Sequence, residues 1–491
     1  MLCRVCVLRP VYGTVAWLLL WLLYWGTASQ SLDDFDSINF ALALEDFNIP
    51  AHQPHPFGYP IEVATGRLAL MVTGNALNAL LLVSSLAGSA GILLIYRLAS
   101  SWFSPRLALL VASMTAVTPL WWLNSIKAMS DMLGMALLLL AVIPLQRYWL
   151  GRAERALWTA ALLAGLAVGG RVHNAFLLAP MLAAALLRHR AGIRSWLAVA
   201  VFGLVGVGIW LVPMLVLTGP EAYWQSLGDQ LAWRMDKPEA SALAGSPDLW
   251  YFLQRFVQFA GAFIHLGLGI EYRYPELSSL LLAVLLLIGL SVGIWHLHRL
   301  REPAKLWLPG LLTYLVMLYL ALPPSNPRYL LILVPVIAAV VSVGLWSLGH
   351  HGKPLAAALL VTLVVHSLNL AMVLHNQATP PVQVIDYLNR QAVNESLVVA
   401  RTIAISRHLE LYRPKFKLLS TDFSCDQIGL AAQTSQAVYE PVYSILDRAV
   451  GTKSCRQCPG LSCTDAGLFE RDRRVHWKHH QIQLLRYAAG H

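Results

Sequence analysis

Residues 31–60 read SLDDFDSINFALALEDFNIPAHQPHPFGYP, an acidic, proline-broken stretch set directly after a long apolar run. Asp33, Asp34 and Asp36 fall within four positions, Glu45 and Asp46 follow, and the stretch closes on His52-Gln53-Pro54-His55-Pro56-Phe57-Gly58-Tyr59-Pro60. The chain is 57% hydrophobic and 13% charged, so acids gathered beside an apolar run need a reason. Ionisable groups at a membrane boundary are costly unless they are paired or used. Helix capping is the simpler alternative, because Ser31 to Asp34 and Asp33 to Asp36 have capping-box spacing and acids favour a helix N-terminus. A cap accounts for one or two of these acids and leaves the others unexplained.

Read as a helix, residues 34–46 place Phe35, Ile38 and Leu42 on one face and Asp36 with Asn39 on another. The expectation is a short amphipathic helix lying along the membrane surface with its acids turned to a cavity. Beyond it, Pro50, Pro54, Pro56 and Pro60 remove backbone donors and fix φ, which predicts a stiff irregular coil. Gly58 permits a turn that residues with a Cβ resist.

The rest of the chain, with a mean hydropathy of +0.58, is that of a polytopic membrane protein. Apolar runs near the ~20 residues needed to span a bilayer recur throughout. They lie at about 12–28, 76–96, 107–123, 132–149, 156–170, 174–187, 196–217, 277–296, 306–322, 329–348 and 355–375, which predicts eleven spans. The two that meet near residue 170 are the shortest. The first run ends in small residues, Thr27-Ala28-Ser29, as a cleaved signal does, but its Trp17, Trp21, Tyr24 and Trp25 favour a retained, interface-anchored helix.

With the N-terminus in the cytoplasm, arginines and lysines fill every inner loop, from Arg4 and Arg9 to Arg299, Arg301, Lys305 and Lys353. The short outer loops hold only Arg67, Lys127, Arg171 and Arg328. That asymmetry places the acidic stretch and the C-terminal tail outside, in a periplasm or its equivalent. The net charge of +10 then reports topology and not nucleic-acid binding.

Four outer loops hold further candidates. Lys127-Ala128-Met129-Ser130-Asp131 follows Trp121-Trp122 and precedes a span, where an aromatic belt and a helix cap are the plain explanation and a second acid facing the cavity the functional one. Gly169-Gly170-Arg171-Val172-His173-Asn174 and Pro323-Pro324-Ser325-Asn326-Pro327-Arg328-Tyr329 each place one arginine against the charge bias, so each arginine needs an anionic partner. For Arg171 that partner is structural, such as Asp131 or a lipid headgroup, while the planar guanidinium also suits bidentate recognition of a phosphate. In the long outer loop 218–275, residues Leu249 to Ile270 read as an interfacial or re-entrant helix, with Arg255, His265 and Arg273 as weaker candidates.

Residues 377–491 are more polar, contain short alternating runs and hold no span, which predicts a small soluble α/β or mixed domain outside the membrane. Cys425, Cys455, Cys458 and Cys463 there predict two disulfides in an oxidising compartment, with a zinc site the weaker reading. No Walker loop, dinucleotide-binding glycine pattern, nucleophile elbow or zincin motif occurs.

A first span, an outer loop with Asp34, Asp36, Ser37, Phe40 and Ala41, and then His55-Pro56-Phe57-Gly58-Tyr59-Pro60 together resemble the GT-C superfamily of membrane glycosyltransferases. The nearest likeness is to the branch of protein O-mannosyltransferases and aminoarabinose transferases. That family pattern usually has a second proline where this chain has Phe57. Lys127 to Asp131 and the Arg328-Tyr329 pair are also similar, and the resemblance covers roughly residues 12–350.

The resemblance implies a mainly α, polytopic fold with residues 1–376 as the membrane catalytic domain, its first outer loop at 29–75, and residues 377–491 as the extramembrane domain. It implies an inverting transfer of one sugar from a polyprenyl-phosphate donor to an acceptor hydroxyl of a glycan, lipid or protein, on the outer face of the inner (plasma) membrane. Asp36, with Asp34 as second choice, is the implied general base. Arg171, Lys127 and Arg328 are implied to stabilise the leaving phosphate, with His55, Tyr59, Asp131 and Tyr329 as further substrate-binding residues. No metal cofactor is required, although Asp36 with Asp131 could hold a divalent ion. The rival class is a non-catalytic lipid-linked sugar flippase or exporter. Such carriers commonly bear charges inside their spans, whereas here the charges cluster outside them.

Overall fold

The computed structural model describes residues 10–237, 241–242, 244, 248–270, 277–324, 326–390, 397–400, 403–412, 417–420, 437–442, 461–472 and 481–489. Backbone packing divides the chain into two compact units. One comprises Met1–Ala28 and Ala43–Leu370, the other Ser29–Leu42 and Ala371–His491. The acidic segment that follows the first helix is therefore grouped with the tail.

The first unit is built of helices that follow the apolar runs. They begin with α1 (Pro10–Gly26), and α2 (Phe35–Glu45) enters the unit at its last turn. Next come α3 (Pro60–Thr73), α4 (Ala76–Ser100), α5 (Pro105–Val117), α6 (Pro119–Ser125) and α7 (Asp131–Gly151). α8 (Glu154–Gly170), α9 (Asn174–Arg188), α10 (Ile193–Thr218), α11 (Pro220–Met235) and α12 (Leu249–Ala262) follow. α13 (Leu277–Trp295), α14 (Arg301–Ala321), α15 (Leu333–Ser347) and α16 (Gly352–Asn376) complete the series.

Local chemistry sets these boundaries. Asn75 caps α4 by accepting from the Asn78 amide, and Ser104 caps α5 ahead of Pro105. Pro119 separates α5 from α6. It has no amide to donate and drives Thr118 to an extended ψ of 135°, so the two helices meet at a bend of 63°.

Among the described residues six helices are long and apolar enough to cross a membrane, or seven if α5 and α6 form one broken span. α1, α9 and α15 are shorter apolar helices. The fold is thus that of a multi-pass, mainly helical membrane protein, but the expected count of eleven spans is not reproduced. Several of the apolar runs make helices shorter than a straight bilayer crossing needs.

Small residues let the helices approach closely. α8 packs on α10 where Gly165 meets Gly206, and a Cβ on Gly165 would lie 2.9 Å from the Gly206 Cα and 2.8 Å from the Val207 amide nitrogen. Such approach of backbones is the usual way helices associate in lipid, where burial of apolar surface supplies no drive. Trp121 and Trp122 are not an interfacial belt. Both are fully buried, with the Trp121 indole donating to the Gly88 carbonyl at 3.2 Å and that of Trp122 to Thr27 Oγ1 at 3.1 Å.

The second unit contains a five-stranded sheet of order β2-β1-β3-β5-β4. Its strands are β1 (Leu397–Ala400), β2 (Lys417–Ser420), β3 (Ala437–Val442), β4 (Leu461–Glu470) and β5 (Gln481–Ala489). β1 runs parallel to β2 and β3, and β5 antiparallel to β3 and β4. Two helices accompany it, α17 (Pro380–Arg390) and α18 (Ile403–Tyr412). Cys425, Cys455 and Cys458 lie outside the described residues, while Cys463 falls in β4.

The α8–α10 contact makes a direct prediction. Gly165→Val forces the two backbones apart and is expected to cost about 1–3 kcal/mol, read as a lower thermal unfolding midpoint of the detergent-purified protein. Gly208→Val, on the same α10 but with open space at its Cβ, is expected to leave the midpoint unchanged.

Candidate active site

The site in the first unit is organised by Asp131, in the first turn of α7. Three contacts fix the chain that leads to it. Ser125 Oγ donates to the Trp121 carbonyl at 2.7 Å, Ser84 Oγ donates to the Met129 carbonyl at 2.9 Å, and Trp121 is held as described above. Asp131 is only 2% exposed. Its Oδ1 accepts from Arg171 Nη1 in an ion pair whose side chains are 0% and 6% exposed. The carboxylate therefore serves an arginine, and helix capping does not explain it.

Arg171 reaches Asp131 from the turn between α8 and α9, passing over Gly134 of α7. A Cβ on Gly134 would lie 2.6 Å from the Arg171 Cγ, so only glycine leaves room for the side chain. Asn174 braces the same turn, with its side-chain amide donating to the carbonyls of Gly134 and Ala167, both at 3.0 Å. Asp131 is thus a structural partner of Arg171, one of the readings that the sequence left open.

Arg328 enters from a short 3₁₀ turn, Pro327–Leu330, and its Nη1 lies 4.0 Å from the other Asp131 oxygen. Both guanidinium groups lie over the Tyr329 ring, Arg171 at 5.9 Å and Arg328 at 5.5 Å from its centroid. Tyr314 of α14 donates to the Tyr329 carbonyl at 2.9 Å and sets that turn. His173 packs edge-on against both tyrosines. Burial first, then the charges of Arg171, Arg328 and Arg234, hold its imidazole well below the usual histidine range, so it is neutral at physiological pH. One carboxylate thus stands between the buried Arg171 guanidinium and the partly buried one of Arg328.

The loop after α2 forms the next part of this unit. Asn48 and Gln53 pair as an isolated bridge. Phe57, Gly58 and Tyr59 have φ of 95°, 77° and 41°, three consecutive residues in the left-handed region. Non-glycine residues there cost on the order of 1 kcal/mol each, a strain that local packing must hold. That packing is visible: Ile49 is buried with Met214 and Tyr223, and a Cβ on Gly58 would lie 2.9 Å from the Ile49 side chain. Tyr59 precedes α3, and His55 Nε2 lies 3.1 Å from its hydroxyl. Lys127, half-buried, stands in the loop before Asp131.

Three participants were not among the sequence candidates. Glu62, in the first turn of α3, is 0% exposed and close enough to Asp131 and Arg171 for their charges to act on it. Arg234, at the end of α11, acts similarly on His173, and Tyr314 orders the Tyr329 turn. The legible signal for Glu62 was an acid between Ile61 and Val63 in an otherwise apolar run. Arg255, by contrast, is structural: it is buried and donates to the carbonyls of Tyr319 (2.7 Å) and Leu322. Arg273 lies outside the described residues.

In the second unit the acidic segment divides its acids between roles. Asp33 is buried and accepts from Arg471 Nη1 at 2.6 Å, while Arg471 Nη2 donates to the Leu374 carbonyl at 3.0 Å. Neighbouring residues are tied as well, with the Gln30 amide bonded to the Leu374 carbonyl and the Thr379 amide to Ser31 Oγ. Asp34 directly precedes α2, where Ser37 Oγ accepts from the Asp34 amide at 3.0 Å, a cap at the helix start. Asp36 lies in the first turn and is half-buried. The expected surface helix is not seen, because Ser37, Ile38, Asn39, Phe40 and Ala41 are all buried in succession. Among the described residues no group of three or more His, Cys, Asp or Glu side chains is arranged to hold a metal.

Residues 55–219 match the family described as dolichyl-phosphate-mannose-protein mannosyltransferase. The fold is similar to the crystal structure of ArnT from Cupriavidus metallidurans bound to undecaprenyl phosphate, with a TM-score of 0.53, 12% identity and 97% of each chain covered. It is also similar to the apo state of ArnT from that organism, with a TM-score of 0.49, 14% identity, and 88% and 92% of the two chains covered, a likeness too weak to carry an argument. No curated protein matches the sequence closely enough to count. The family match covers residues 55–219, and the likeness to ArnT is one of fold.

The Asp33–Arg471 pair is directly testable. Arg471→Met strands a buried carboxylate and is expected to cost about 3–5 kcal/mol, seen in thermal unfolding. Asp33→Leu combined with Arg471→Met is expected to recover most of that loss. A single variant as stable as wild type would show that the pair does not hold the acidic segment.

Proposed function

We propose that the chain is a membrane glycosyltransferase of the GT-C type, which moves one sugar from a polyprenyl-phosphate donor to an acceptor hydroxyl, on the outer side of the plasma membrane, with inversion at the anomeric carbon. The observation that carries the reading is the buried Asp131 with Arg171 and Arg328 around it. Two guanidinium groups converge on one carboxylate there, and arginine's planar fork fits phosphate oxygens. The ArnT crystal structure of similar fold holds undecaprenyl phosphate, which agrees with a lipid phosphate here.

In the proposed reaction the acceptor oxygen forms a bond to the anomeric carbon as the bond from that carbon to the phosphate oxygen breaks. The departing polyprenyl phosphate keeps the electron pair. Arg328 and Arg171 stabilise its growing negative charge, with Lys127 as a further cation. The acceptor proton passes to Asp36, or to Asp34 as second choice, both assigned on the sequence resemblance. His55 and Tyr59 help to seat the substrate, and Tyr329 holds the arginines. No step requires a metal. The basic-residue asymmetry supports an N-terminus in the cytoplasm and the tail outside.

Asp36→Asn keeps size and removes the base, so sugar transfer is expected to fall about 10²–10⁴-fold while the unfolding midpoint stays near that of the wild type. Purified protein supplied with polyprenyl-phosphate sugars and candidate acceptors provides the assay. Full activity in both Asp36→Asn and Asp34→Asn would falsify the assignment of the base. Lipid transport without any glycosidic bond formed would mark a carrier instead. In the same assay Arg328→Lys keeps the charge and loses the fork, so the donor KM is expected to rise; an unchanged KM would reduce Arg328 to an anchor for its turn.

A further inference from the structure

Glu62 is fully buried, and neither of its carboxyl oxygens has a hydrogen-bond partner among the described residues. Buried polar atoms are rarely left in that state, and each such case calls for an explanation. The carboxyl lies within reach of the charges of Asp131 and Arg171, which are already paired to one another and so supply no spare counter-charge. α3 itself is firmly placed. Arg67 donates to the carbonyls of Ala43 and Leu44, both at 3.1 Å, and Gly66 packs against Leu44 and Leu80.

We propose that Glu62 is a binding residue for the donor's phosphate, to which it donates a hydrogen bond as a neutral carboxylic acid. The inference rests on the donor reading given above. A carboxyl presents an O–H only while protonated, and once ionised it is acceptor-only and repels a phosphate. Burial first, and then Asp131, push the Glu62 carboxyl up to about 8, with Arg171 opposing them. Below that pH it is a donor beside Arg171 and, by way of Asp131, Arg328; above it, it becomes a buried anion.

The other charged groups around it are few. The helices packed on α3 carry Arg97 in the last turn of α4, Glu154 and Arg155 in the first turn of α8, and Arg194 in the first turn of α10, while Glu45 ends α2 beside Leu44 and α3 itself carries Arg67. Within the site, Asp131 and Arg171 act on Glu62 directly, with Tyr59 at the start of α3, Arg328 and Tyr329 on their turn, and His173, already neutral, beyond them.

The test is equilibrium binding of undecaprenyl phosphate to the full-length protein in lipid nanodiscs, as a function of pH. Wild-type affinity is expected to drop about tenfold from about pH 7 to about pH 9, as one proton is lost. Glu62→Gln keeps an N–H donor and cannot ionise, so it is expected to bind like the wild type at neutral pH and to lose most of the alkaline fall. Glu62→Leu removes the donor and is expected to bind about tenfold more weakly at neutral pH, with an unfolding midpoint no lower than that of the wild type. Wild-type affinity in Glu62→Leu, or an unchanged alkaline fall in Glu62→Gln, overturns this inference alone. No binding by the wild type at any pH overturns the donor reading and this inference with it.

Discussion

A buried carboxylate shared by two guanidinium groups is the constraint around which the helical unit is built. Removing Asp131 and Arg171 from water costs several kcal/mol per ion, and their attraction repays it only with good geometry and dry walls. The chain meets that demand with specific residues. Gly134 clears a path for Arg171, Asn174 ties the turn to α7 and α8, and Ser84 fixes the approach to Asp131. Pro119 breaks the helix so that Trp121 and Trp122 turn inward and fill the space beneath. None of this is required by spanning a membrane. It is required by holding ionised side chains together in a dry place.

The second constraint is the strained coil before α3. Three successive residues in the left-handed region persist only where packing over-determines them, and such strain gathers at functional sites. Here the coil delivers His55 and Tyr59 together and starts α3 so that Glu62 falls in its first turn. In the other unit a separate device sets the acidic segment. Asp33 is committed to Arg471, Asp34 precedes the helix, and Asp36 lies in its first turn. A tail built around Arg471 is therefore part of how residues 29–34 are shaped.

Much of this was legible in the sequence, for identifiable reasons. Apolar runs gave the mainly helical, multi-pass class, since a bilayer imposes one requirement on all of them. Their number was less legible, because α1, α9 and α15 are short and proline splits α5 from α6. Arg171 and Arg328 stood out by violating a charge bias, and the cluster contains both. The partner of Arg171 was not decided by the sequence, since Asp131 lies forty positions away and only packing brings it near. Trp121 and Trp122 read as a belt because composition cannot tell an interface from a core. Glu62 went unseen because a lone acid in an apolar run has no periodic signature, and its meaning comes from what surrounds it in three dimensions.

The central claim is that the Asp131 cluster seats a lipid phosphate. Its most direct test is a cryo-EM map of the full-length protein in nanodiscs with undecaprenyl phosphate bound. The account predicts phosphate density within hydrogen-bonding distance of the Arg328 guanidinium, beside Arg171, with the Asp131–Arg171 pair intact. Phosphate density elsewhere, with the arginines around Asp131 unchanged and nothing against them, would contradict it.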